Sequence, residues 1–144
     1  MSDWQGFSPL NDFTGPLLDN LKRHPKRIVF PEGEDVRVLR VSERFVSEQA
    51  GVPILLGRKE IIRRMAEMNG ISLKFVRIIE PEKNSDLQMF CDRYERAEQM
   101  FGNGLPMNTR EIVSEPVHFA AMMVLYGQAD AIVAGNMKRV ASVF

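Results

Sequence analysis

The stretch Arg27-Ile28-Val29-Phe30-Pro31-Glu32-Gly33-Glu34-Asp35-Val36-Arg37-Val38-Leu39 decides the fold class. It opens on a short β-branched and aromatic run that Pro31-Glu32-Gly33 stops, so it reads as a buried strand followed by a loop. Beyond the loop the period changes. Val38, Leu39, Val41, Phe45 and Val46 fall in one helical stripe, while Arg37, Arg40, Glu43, Arg44, Ser47 and Glu48 fill the opposite face. The reading is an amphipathic helix over 35–50 with Asp35 as its cap. A short continuous apolar strand feeding a helix is the unit of a parallel sheet, because strands covered on both faces do not alternate.

Downstream the unit repeats. Val52-Pro53-Ile54-Leu55-Leu56, then Gly57, is a second strand, and Ile61, Ile62, Met65 and Met68 mark a helix stopped at Asn69-Gly70. Residues 74–79 read as a third strand ended by Glu80-Pro81, after which Leu87, Phe90, Cys91, Tyr94, Ala97 and Phe101 keep helical spacing. Asn108 with Glu111 opens another helix, which Pro116 divides in two. The second half, 117–126, is apolar nearly all round and so needs cover on most sides, from this chain or from a partner chain. Gly127 stops it, and 131–134 form a fourth strand entering Gly135-Asn136. Upstream, Leu17, Leu18 and Leu21 predict a short helix near 15–23. The expected organisation is a helical extension over 1–25, then an α/β domain over 26–144 with an open parallel sheet between helical layers, a three-layer α/β/α fold.

Composition narrows the function. The 144 residues are 44% hydrophobic and 26% charged, with 19 Lys plus Arg against 19 Asp plus Glu, which describes an ordinary globular chain. A net charge of zero argues against nucleic acid or an anionic membrane as partner. Cys91 is the single cysteine, so no internal disulfide forms, and no Cys and His cluster offers metal-ligand spacing. No apolar run approaches the ~18 residues of a membrane span, and the N-terminus lacks the order of a signal peptide. The expected localisation is cytoplasmic.

No GxxxxGK[ST], GxGxxG, GxSxG or HExxH string occurs. In parallel sheets ligands bind beyond the carboxyl ends of the strands, which are here the loops 31–35, 57–59, 80–81 and 135–139. The last offers most: Gly135 lets backbone approach a ligand, and Lys138 and Arg139 offer charge for a phosphate or carboxylate. Cys91 lies on an apolar stripe and reads as core, His118 as a satisfied interior or boundary histidine, and Gly33 and Asp35 as turn and cap within an acidic run. Lys22, Arg23, His24, Lys26 and Arg27 read as a solvated helix end.

The opening stretch resembles the phosphate acetyl/butyryltransferase family, whose first strand and loop typically read RIV(F/L)PEGEDxRVL. The likeness continues through Pro53-Ile54-Leu55-Leu56-Gly57 and from Phe119-Ala120-Ala121-Met122-Met123 to Gly127-Gln128-Ala129-Asp130-Ala131-Ile132-Val133-Ala134-Gly135, similar to FAxMMxxxGxADGxVSG. The segment from Gly57 to Ile71 is also similar to the acetyltransferase-like module at the C-terminus of some malic enzymes. The resemblance implies a two-domain fold of the isocitrate/isopropylmalate-dehydrogenase type, a homodimer at full length, and acyl transfer between coenzyme A and phosphate without metal or cofactor. It also implies that this chain is the N-terminal portion of a longer protein and inactive alone. Acetyl-CoA and phosphate are the implied small-molecule substrates, with Gly135, Asn136, Lys138, Arg139 and Ser142 the implied binding residues. Two positions depart from the pattern. SGAxHS is replaced by Ala134-Gly135-Asn136-Met137-Lys138-Arg139, and an arginine expected four residues before Gly104 is Met100. These departures lean toward the alternative, a non-catalytic module that senses acyl-CoA within a malic enzyme-like protein.

Overall fold

The computed structural model describes residues 8–106 and 108–135. Its elements run α1 (Ser8–Arg23), β1 (Lys26–Phe30), α2 (Val36–Ser47), β2 (Gly51–Leu56), α3 (Lys59–Met68), β3 (Arg77–Ile79), α4 (Leu87–Met100), α5 (Thr109–Ser114), α6 (Pro116–Leu125) and β4 (Ala131–Ile132). All strands pair in parallel, in the order β3-β2-β1-β4. Val29 lies opposite Ile54 on one side and Ile132 on the other, so β1 is central and its backbone is paired on both edges.

Each strand sends alternate residues to different layers, which is why the apolar runs are continuous. Val29, Ile54, Leu56 and Ile79 pack with Leu87, Phe90, Val113, Phe119 and Met123 of α4, α5 and α6. Phe30 and Leu55 pack the other way, with Val38 and Leu39 of α2 and Ile62 and Ala66 of α3. The expected three-layer α/β/α arrangement is therefore present, with an aromatic anchor in the larger layer where Phe90 meets Phe119 edge-on at 5.2 Å.

Strand β4 keeps only Ala131–Ile132 of the expected 131–134, and three further expectations change. Helix α1 starts at Ser8 and runs through Pro16, instead of beginning near residue 15. Strand β3 keeps only Arg77–Ile79, because Phe75 takes φ 64 with its ring exposed and Val76 closes a turn onto Leu73 before pairing with β2 begins. Helix α6 buries Phe119, Ala120, Met122 and Met123 but leaves Leu125 70% exposed, so its cover is one-sided. Among the described residues no helix is long and apolar enough to cross a membrane.

Candidate functional site

The parallel strands deliver their four following loops to one edge of the sheet. The β1 loop, 31–35, is built around Gly33. Its N–H donates to the carbonyl of Leu56 at 3.1 Å, and a Cβ there would stand 2.6 Å from that same oxygen. Only glycine allows the loop to lie this close to the end of β2. Asp35 then caps α2, its Oδ1 accepting from the Arg37 N–H at 2.8 Å, as the sequence indicates. The Arg37 guanidinium folds back onto the same carboxylate, with Nη2 2.9 Å from Oδ2.

Glu34 reaches the other way. Its Oε1 accepts from the Arg58 backbone N–H at 2.9 Å and from Arg58 Nε at 2.8 Å, while Oε2 accepts from Nη2 at 2.8 Å. A bidentate, charge-assisted fork of this kind fixes geometry as well as charge. It ties the β1 loop to the β2–α3 loop and, through the Arg58 side-chain bond above all, holds the Glu34 carboxyl below its ordinary value. Gly57 sits beneath it, in the left-handed region at φ 149, with Glu34 Cγ only 3.0 Å from where a Cβ would be.

Glu80 braces the next pair of loops. Its Oε1 accepts from the Lys59 N–H at 2.7 Å and its Oε2 pairs with Lys83 Nζ at 2.8 Å. The Lys83 bond is the largest cause that lowers the Glu80 pKa. Between these braces lies an open depression of about 450 Å³ lined by Glu34, Gly57, Arg58, Glu80, Glu82, Lys83, Ser114 and Pro116. Glu115 caps α6 beside it, accepting from the Val117 and His118 N–H groups and pairing with His118 Nδ1 at 3.0 Å. His118 is thus a boundary residue, with its side chain 56% exposed, and is not an interior one. Among the described residues no group of three or more His, Cys, Asp or Glu could hold a metal ion. Cys91 is buried in the core, where burial pushes its thiol up.

Of the residues expected to bind ligand, Gly135 follows β4 at the same edge with φ 100, a conformation suited to glycine. Asn136, Lys138, Arg139 and Ser142 lie outside the described residues. Met100, where the resemblance led to an arginine being expected, ends α4 and is 85% exposed. The nearby Arg93 stacks over the Tyr126 ring, 4.4 Å from its centroid. Sequence reasoning missed the Glu34–Arg58 and Glu80–Lys59–Lys83 braces. The available signal was a charged residue within two positions of the apolar ends of β2 and β3, at Arg58 and Glu80.

A parallel sheet covered on both faces, with loops braced along its carboxyl edge, defines a protein of the three-layer α/β/α class. The chain belongs to the phosphate acetyl/butaryl transferase family, whose model matches residues 12–144. It is 35% identical over 121 residues to the NADP-dependent malic enzyme of Rhizobium meliloti, a match covering 83% of this chain and 16% of that enzyme. To the phosphate acetyltransferase of a Synechocystis species it is 32% identical over 114 residues, covering 78% of this chain and 16% of the relative. A phosphotransacetylase from Streptococcus pyogenes superposes with TM-score 0.84 at 26% identity, covering 92% of this chain and 40% of that structure. The chain therefore spans well under half the length of these relatives.

Proposed function

We propose that this chain is the N-terminal portion of a phosphate acyltransferase that moves an acetyl group between coenzyme A and phosphate. The observation that carries this reading is the family match through residues 12–144. In this reading residues 26–144 are the opening part of the α/β domain, residues 1–25 are a helical extension, and the whole protein has the two-domain isocitrate/isopropylmalate-dehydrogenase-like fold. Gly135, Asn136, Lys138, Arg139 and Ser142 line the acyl-phosphate end of the cleft. The thiolate of coenzyme A attacks the acyl phosphate carbonyl, cationic and amide donors hold the charge that develops on oxygen, and collapse breaks the acyl C–O bond so that phosphate leaves with the electron pair and the acetyl group stays on sulfur. The base that takes the thiol proton belongs to the part of the family fold that this chain does not span. The complete protein works as a cytoplasmic homodimer with acetyl-CoA and phosphate as small-molecule substrates, without metal or cofactor.

The test compares two proteins. The full reading frame forms acetyl-CoA from acetyl phosphate and coenzyme A, and the 144-residue chain alone does not. Turnover by the chain alone overturns the division of labour, and none from the full protein overturns the reaction. A second reading is favoured by the 35% identity to a malic enzyme and by the sequence Ala134-Gly135-Asn136-Met137-Lys138-Arg139 where the resemblance implies SGAxHS. There the chain is part of a non-catalytic acyl-CoA sensor, and acetyl-CoA changes the rate of an attached dehydrogenase.

A further inference from the structure

Edge strand β3 carries a second depression, of about 420 Å³, which shares Glu80 and Lys83 with the first and adds Lys59, Arg77, Ile78, Ile79 and Asn84. It lies at the opposite margin of the sheet from β4 and Gly135, three strand spacings or about 14 Å away. Three of its lining side chains are cationic and one is acidic. The acidic one, Glu80, is already spent: both its oxygens are bonded, to the Lys59 N–H and to Lys83, and its side chain is only 13% exposed. The Lys59 N–H at the start of α3 is therefore already taken by protein.

The cations differ from it. The Lys59 ammonium acts on Glu80 only electrostatically and, like the Arg77 guanidinium, makes no side-chain hydrogen bond or ion pair among the described residues, and the Lys83 side chain is 80% exposed beyond its single bond to Glu80. Asn84 accepts from the Asp86 N–H through Oδ1 at 2.9 Å, which leaves both protons of Nδ2 to donate. Glu60 and Glu82 act on Lys83 electrostatically, yet neither lines the depression. A planar guanidinium, two ammonium groups and an amide, supplied from three separate segments, match the several oxygens and double charge of a phosphate better than a single carboxylate.

We propose that this β3-edge depression binds a phosphate-bearing small molecule, at a site separate from the acyl-transfer cleft of the preceding section. Its volume suits a phosphate attached to a small organic body. The test is a titration of the 15N-labelled 144-residue chain with inorganic phosphate and, separately, with ADP, followed by amide chemical shifts. The expected result is saturable movement at Lys59, Glu80 and Lys83 with at least one probe, absent from sodium chloride at matched ionic strength. Phosphate alone sufficing identifies the free ion as a ligand, and ADP alone binding identifies a phosphate carried on a larger body. The double variant K59Q/R77Q weakens binding about tenfold or more, while its other amides keep their positions and so report an intact fold. Movement that never saturates, that chloride reproduces, or that the double variant retains unchanged overturns the proposal.

Discussion

Glu34 and Asp35 are adjacent acids with separate structural duties. Asp35 was legible as a cap, because capping depends on residues two and three positions away and the apolar stripe marks where the helix starts. Glu34 was not legible, since its partner Arg58 is 24 residues distant and meets it only after β1 and β2 have paired. The fork makes stability depend on pH in a defined direction. Arg58 holds the folded-state pKa of Glu34 below its ordinary value of 4.5. Its contribution is therefore complete above the unfolded value and disappears as pH falls through the lowered one. Urea midpoints are expected to favour the native chain over E34Q near neutrality, with the difference closing as the pH drops below 4.5. A gap that persists unchanged in acid contradicts this assignment. Lys138 and Arg139, proposed to bind ligand, belong to a different case, where the sequence suggests the chemistry and the described residues stop short of them.

At the level of elements, periodicity located α2, β2, α3 and α6 because each has a clear apolar stripe or run and a marked stop. It failed over 74–76, where Lys74-Phe75-Val76 has strand-like composition but no strand to pair with. The Lys74 ammonium instead lies over the Phe75 ring, 5.1 Å from its centroid. Pairing begins only where Ile54 meets Arg77, a tertiary decision that local propensity does not contain. Helix α6 gives the sharper test. Phe119 is fully buried and packs edge-on against Phe90, so F119A is expected to cost about 4 kcal/mol in urea unfolding. That is a large share of the ~5–15 kcal/mol that holds a typical domain together. A loss below about 1 kcal/mol is incompatible with Phe119 anchoring the larger layer.

Across the whole molecule, the sheet is strongest at its centre and weakest at β4. Strands β1 and β2 pair over five residue positions, whereas β4 meets β1 over two, with Arg27 and Asp130 bonded at its entry and Val133 N–H donating to Val29 at its exit. Hydrogen exchange is expected to release the Val133 amide well before those of Ile54 and Leu55; equal protection contradicts the ordering. The Arg27–Asp130 contact joins residues 103 positions apart, whereas β1 and β2 are joined through one short helix. Closing so long a span carries an entropic cost before any contact repays it. On a ribosome, which delivers the N-terminal strands first, β1 therefore stands with its outer edge bare until residues 131–132 have emerged, and the arrival of β4 times the pairing of that edge.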